Sequence, residues 1–344
     1  MRTERSVAEV GFVAHPKGIM QTSEPPSGSN GNAFESSAYV HEVESWAQFE
    51  DIYEQRFRRH RGRWYFRGQL DSRWPLQTTL ERVLLHLRAR VTSAEPYPRF
   101  PSGRVARSAS ERVELVVLRS FQARASKFLQ NLPGPHELLE WLALMRHWGL
   151  PTRLLDVTTS IHVALYFAAN ELLHSQPSED VSVAVWAINH VPLRATGALR
   201  AGVQAHTDLS DPVLFNEHFF GEERKAFIAP VHPRSHSERL AAQQGTFLCM
   251  ANVDVSFQEN VTCCMPTAEL HQQSVFHKLK VSPGATIEIL ERLTAMNIHS
   301  ASLFPDLQGY ARFIEQSLRL FAAKSDQFES HLDFESLERL GWLG

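Results

Sequence analysis

Apolar residues recur along the chain with a spacing that switches between a helical and an extended period. Ser45 precedes Trp46, Phe49, Ile52 and Tyr53 at helical intervals, which predicts a first helix, and Arg63 to Gly68 then reads as a short strand ending in a turn. Pro96, Pro98, Pro101, Ser102 and Gly103 mark an irregular loop. From Ser110, the residues Val113, Val117, Phe121, Phe128 and Leu132 predict a long helix that stops at Gly134-Pro135. Pro135 opens the next helix, with Leu138, Trp141, Leu142, Met145 and Trp148 on one face and Gly149 and Pro151 at its end. Thr158, Thr159 or Ser160 caps a further helix with the stripe Ile161, Leu165, Ala168 and Leu172.

Val181 to Ile188 is a nearly continuous β-branched and aromatic run, the pattern of a buried strand. Thr246 to Ala251 and Ser274 to Val281 predict further strands; Thr286 to Met296, Gln308 to Ala323 and Phe334 to Leu343 predict helices. Residues 189–237 mix polar and aromatic positions without a period. Helices grouped in blocks around scattered strands imply an α+β fold. Residues 1–40, rich in Ser, Gly, Asn and Pro, read as a mobile arm or extended lead-in. The folded body is expected over 41–325 and an acidic helical tail over 326–344.

Composition narrows the class. The 344 residues, 43% apolar and 10% aromatic, suffice for a large core in one elaborate domain or two. The formal charge of -3 gives no global pull toward nucleic acid, yet Arg56, Arg58, Arg59, Arg61, Arg63 and Arg67 crowd one short stretch and Asp326, Glu329, Asp333, Glu335 and Glu338 crowd the tail. A basic amino half can meet a polyanion locally, or the two runs are solvated faces. Three cysteines, two of them adjacent, make no disulfide framework, Glu9 interrupts the only short apolar stretch near the amino terminus, and no run spans a bilayer. A cytoplasmic protein without membrane contact is expected.

Candidate chemistry concentrates in a few segments. Arg67 offers a forked guanidinium suited to pyrophosphate or carboxylate, and Gly68 after it allows the backbone to turn and a ligand to approach. In His147-Trp148-Gly149-Leu150-Pro151-Thr152-Arg153-Leu154-Leu155-Asp156, the carboxylate follows two leucines and needs a partner such as Arg153, Arg67 or backbone amides. Asp156 can be a structural ion, a general base or a ribose acceptor. Thr158 and Ser160 can bind an anion or simply cap a helix. Glu238, Arg239 and Gln243 precede a predicted strand. His232 and His236 flank Pro233, and Cys263, Cys264, His271 and His277 lack a zinc spacing, so no metal site is expected. The chain has no Gly-rich phosphate loop and no Gly-x-Ser-x-Gly elbow.

Taken in order, Trp64 to Gln69, His147 to Thr158, Ala164 to Ala168, Arg239 to Phe247 and Leu303 to Gly309 resemble the FRG domain, over about residues 45–320. A looser similarity is to toxin-type ADP-ribosyltransferases, through Phe66-Arg67-Gly68, then Thr158-Thr159-Ser160 with Ala164 to Ala168, then Gly245-Thr246-Phe247. That similarity implies a mixed sheet core with helical insertions and NAD as substrate. It places Arg67 on the phosphates or ribose, with Gly68, His147, Thr152, Arg153, Thr158, Ser160 and Arg239 in the binding site. Arg67, Asp156, Glu238 and Gln243 are the implied catalytic set. The glutamate expected before the Gly-Thr-x-Phe strand has its nearest counterpart in Glu238, one residue farther from Gly245 than the toxin spacing. The expected activity is transfer to a protein or nucleic acid, in a toxin or phage-defence role; the alternative is a noncatalytic nucleotide- or nucleic-acid-binding sensor.

Overall fold

The computed structural model describes residues 34–87, 99–100, 105–174, 181–235 and 237–324. Among the described residues, short apolar runs form seven strands: β1 (Tyr39–Val43), β2 (Trp64–Gln69), β3 (Leu154–Thr158), β4 (Val183–Asn189), β5 (Ile228–Val231), β6 (Gly245–Met250) and β7 (Phe276–Val281). They make one mixed sheet of order β1-β7-β4-β2-β3-β6-β5, in which β1 runs parallel to β7 and every other pair is antiparallel. The fold is α+β, with helices both flanking the sheet and inserted between its strands.

The helices before β4 are α1 (Trp46–Ile52), α2 (Thr79–Leu87), α3 (Ala109–Ala125), α4 (Leu138–His147) and α5 (Ile161–His174). After it come α6 (His190–Ala201), α7 (Pro212–Phe220), α8 (Glu238–Ala242), α9 (Phe257–Cys264), α10 (Thr267–Gln272), α11 (Pro283–Ala295), α12 (Ser300–Leu303) and α13 (Leu307–Lys324). One continuous core, with Tyr65, Leu155, Val157, Trp186 and Leu248, covers one face of the sheet from β7 to β5. The opposite side carries two separate cores. One joins α1, α5 and α11 to Phe66, Val185 and Leu279; the other joins α3, α4 and α7 to Leu154, Phe247 and Cys249.

Several expectations are corrected. Gly68 does not end its strand in a turn: it lies inside β2 against α5, where an added Cβ would collide with the carbonyl of Ala164 and come within 2.7 Å of the Ala168 nitrogen. The missing side chain admits a helix, with Ala164 and Ala168 small on the facing side. The helix from Ser110 stops at Ala125, and Phe128 is left 81% exposed, so its place in the apolar period serves no burial. Its neighbour begins at Leu138 because Gly134 N donates to Glu137 Oε2 at 2.6 Å and holds Pro135 in a turn. Residues 34–40, assigned to the lead-in, already belong to the fold, with Phe34 buried. The unassigned 189–237 region holds α6, α7 and β5. Residues 1–33 and the Phe334 to Leu343 helix lie outside the described residues.

Candidate anion-binding site

β2 and β3 share one residue pair, Phe66 with Thr158, while β3 continues alongside β6 from Leu154 opposite Cys249 to Thr158 opposite Gly245. Past Phe66 the ladder stops. Arg67 bridges the gap: its Nη1 donates to the Asp156 carbonyl oxygen at 2.8 Å and lies 3.8 Å from Asp156 Oδ2. Leu155 and Val157 point into the continuous core, so strand alternation sends the Asp156 side chain to the other face, which carries the two separate cores. There Arg146, near the end of α4, holds the carboxylate in a fork, Nε to Oδ1 at 3.2 Å and Nη2 to Oδ2 at 2.5 Å. Arg146 Nη1 also donates to Thr79 Oγ1 on α2 at 3.0 Å.

Further charges converge. Arg82 of α2 and Glu171 of α5 act on Arg67, and Asp156 and Arg146 act on Arg239 of α8. The Arg239 and Arg312 guanidiniums lie 4.5 and 5.4 Å from the Phe304 ring centre, cation–π contacts that hold two like charges beside one another. Burial lowers the Arg67 pKa to about 10; Asp156 opposes that shift and Arg82 and Arg146 add to it. Burial works against an ionised Asp156, but Arg146 and Arg67 outweigh it and hold the carboxyl below its ordinary range. His147 is shifted down by burial and then by Arg239, with Asp306 opposing. The Arg67 side chain is 18% exposed, and its Nε is buried without a hydrogen-bond partner among the described residues. Guanidiniums crowded around Asp156, with Glu171 also acting on Arg67 and Arg82 and one guanidinium keeping an unused buried donor, form an arrangement that an added anion would stabilise.

The structure brings together Arg67, Asp156, Arg239 and, at the rim, His147. It draws the other expected residues elsewhere. Arg153 is buried just ahead of β3, beside the core of α3, α4 and α7, where it pairs with both carboxylate oxygens of Glu114, donates to Phe219 O at 2.6 Å and to Ala251 O at 3.0 Å, and lies over Phe220. Asp156 does not orient it, because its donors are engaged by Glu114 and by the Phe219 and Ala251 carbonyls. Thr152 is buried, and its hydroxyl accepts from Leu154 N. Thr158 donates to Gln243 O at 2.8 Å, and Ser160 caps α5 by accepting from Val163 N. The Gln243 amide donates to Leu303 O at 3.1 Å, tying α8 to α12, and Glu238 is exposed on the first turn of α8.

Arg82, Arg146, Thr79 and Arg312 were not singled out in the sequence. Each sits within a helix whose apolar period says where its core face lies and nothing about which arginine meets a carboxylate from another segment. The β3 strand was equally hidden from periodicity, since Leu154 to Thr158 is only five residues long; only the transferase similarity implied a strand there. An apolar groove of about 420 Å3 along α3 and a polar recess of about 120 Å3 beside His232 both lie apart from these arginines. The cluster is reached from solvent at Asp156, whose side chain is 43% exposed. Among the described residues, no group of three His, Cys, Asp or Glu is placed to hold a metal ion, and no helix is long and apolar enough to cross a membrane.

The molecule is thus an α+β protein with an arginine cluster at the parting of two central strands. Residues 62–176, about a third of the chain, match the FRG domain family. The matched segment runs from the start of β2 through α5 and contains Arg67, Gly68, Arg146, Asp156 and Thr158; Arg239, Gln243 and Phe304 lie beyond it. No curated protein and no solved structure matches the chain.

Proposed function

We propose that the chain is an ADP-ribosyltransferase-like enzyme that takes NAD, with the dinucleotide phosphates held at the Arg67 cluster. One observation carries the reading. The three segments behind the transferase similarity reach the neighbouring strands β2, β3 and β6, with Phe66, Thr158 and Gly245 in one cross-strand row, and Ala164 to Ala168 follow on α5 against Gly68. Segments so distant in the chain need not have met. Arg67, next to that row, has the buried free donor and the charged neighbours that a pyrophosphate would satisfy.

In the transfer, the bond between ribose C1′ and the nicotinamide nitrogen breaks, nicotinamide leaves with the electron pair, and an acceptor nucleophile bonds to C1′ and gives up its proton. Positive charge develops on the ribose. Asp156, kept ionised by Arg146 and Arg67, is the carboxylate at the cluster that can oppose it, while Glu238 stands exposed on α8. Calorimetric titration with NAD, followed by assay of nicotinamide release and of label transfer to protein and nucleic acid, tests the reading. Absence of binding removes it.

A second reading, a noncatalytic nucleotide-binding module, is favoured by one specific feature. The Asp156 carboxylate is already forked by Arg146 and faced by Arg67, which reduces what it offers a cationic transition state. That reading expects saturable binding of NAD or another nucleotide with no nicotinamide release.

A further inference from the structure

The segment between α1 and β2 is a turn of π-helix, Tyr53–Phe57, followed by a 3-10 stretch, Arg58–Arg63, kinked at His60. It buries Phe57 alone and exposes Arg56, Arg58, Arg59, Arg61 and Arg63. The acidic residues of the preceding helical turns take up little of this charge. Glu54 pairs with Arg58, and no carboxylate among the described residues pairs with Arg56, Arg59, Arg61 or Arg63. Arg56 acts on His41 and His277, and Arg61 lies 6.0 Å from the Tyr53 ring centre, which leaves Arg59 and Arg63 without an ion-pair partner among the described residues. The N-terminal end of α6 is tied to the same surface, because His190 Nε2 meets Gly62 O at 3.0 Å, and α6 adds the exposed Arg194.

We propose that this surface, centred on Arg59, Arg61 and Arg63, binds the phosphate backbone of a nucleic acid. Lysine is absent from the segment; every charged donor in it apart from His60 is a guanidinium, whose planar fork fits phosphate oxygens in pairs. The exposed side chains offer no apolar row to insert into a membrane. The patch also leads toward the site: Arg63 ends the 3-10 stretch directly before β2 and Arg67 lies four residues on within that strand, about 13 Å of chain, a distance a few nucleotides span. As the acceptor of transfer, the nucleic acid rests on the transferase reading; the binding itself does not.

The test is fluorescence anisotropy of the full chain with labelled 12-mers of single-stranded DNA, RNA and duplex DNA, and with a 12-residue polyglutamate, from about 50 to 300 mM salt. At least one nucleic acid is expected to bind with an affinity that falls steeply with salt, and polyglutamate at least tenfold more weakly. Replacing the trio together, Arg59→Ser, Arg61→Ser and Arg63→Ser, is expected to weaken that binding at least tenfold and to flatten the log–log salt slope by about 2 for a single strand. The variant should keep its circular dichroism spectrum and its NAD affinity. Absent nucleic-acid binding, binding unchanged in the triple variant, or polyglutamate bound as tightly as nucleic acid overturns the proposal. Because NAD affinity is measured on the same variant, loss of one reading does not decide the other.

Discussion

Arg67 donates through Nη1 to the carbonyl oxygen of Asp156 at 2.8 Å, across a point where their strands no longer pair, and its buried Nε has no hydrogen-bond partner among the described residues. The first contact holds two halves of the sheet together; the second is a donor in reserve. Arg67→Lys keeps a charge but loses the fork, so NAD affinity is expected to fall at least tenfold, about 1.4 kcal/mol. Loss of the cross-strand hydrogen bond lowers stability by about 1 to 2 kcal/mol. Calorimetry with NAD and urea unfolding of the same variant separate the two effects, and an unchanged NAD affinity would show that the ligand site lies elsewhere.

Gly68 and Ala164 define how closely α5 approaches the sheet. Gly68→Ala places a methyl group against backbone atoms of Ala164 and Ala168, which cannot swing aside as a side chain can. A loss of about 1 to 3 kcal/mol is expected from the forced displacement of the helix. Gly149 offers the contrast, having φ of +80° with nothing within 4 Å of an added Cβ. Gly149→Ala is disfavoured by backbone conformation alone, by about 1 kcal/mol. Unfolding midpoints for the pair should rank Gly68→Ala as the more damaging; the reverse order would contradict the packing described for β2 and α5.

Arg153 and Glu114 are both almost wholly buried and pair through two hydrogen bonds, away from the candidate site. Glu114→Ala leaves an uncompensated guanidinium in the core and should cost about 3 to 5 kcal/mol. Replacing both, Glu114→Leu with Arg153→Met, removes the charge imbalance and should recover part of that loss. If the double variant folds, it should bind NAD as the unaltered chain does, which is the measurement that assigns Arg153 to the scaffold. A specific loss of NAD binding in a well-folded double variant would return Arg153 to the site.

How far the sequence carries depends on whether a residue's role is local. The helices of Trp46, Ile161 and Thr286 and the strands of Val183, Thr246 and Phe276 were legible, because each repeats a period over enough residues to announce its buried face. Arg67 and Asp156 were also legible as polar groups set against apolar runs. What joins them was not: the end of the β2–β3 ladder after Phe66 and the approach of Arg146 from a helix are outcomes of tertiary packing. Arg153 shows the same limit from the other side. It stands three residues from Asp156, yet its guanidinium sits beside Glu114, thirty-nine positions away.

His277 supplies a pH dependence. Its ring packs edge-on against Phe57 and Trp64 and stacks on His41 and Tyr39, with Nδ1 2.9 Å from His41 Nε2. Burial, then the neighbouring His41 and Arg56, push its pKa down to about 4 from the ordinary 6.5. Between those values the unfolded chain binds a proton that the folded chain refuses, so stability rises with pH across the interval and is lost as pH falls from 6.5 toward 4. The full span amounts to roughly 3 kcal/mol for this one group. His41, also shifted down by burial and then by Arg56, acts in the same direction. Urea unfolding at pH 7.5, 6.0 and 5.0, compared with His277→Gln, checks the assignment. The unaltered chain should lose stability steadily over this series, and the variant should show a shallower decline even though the lost ring packing lowers its stability at every pH. Parallel curves for the two proteins would mean that another group carries the titration.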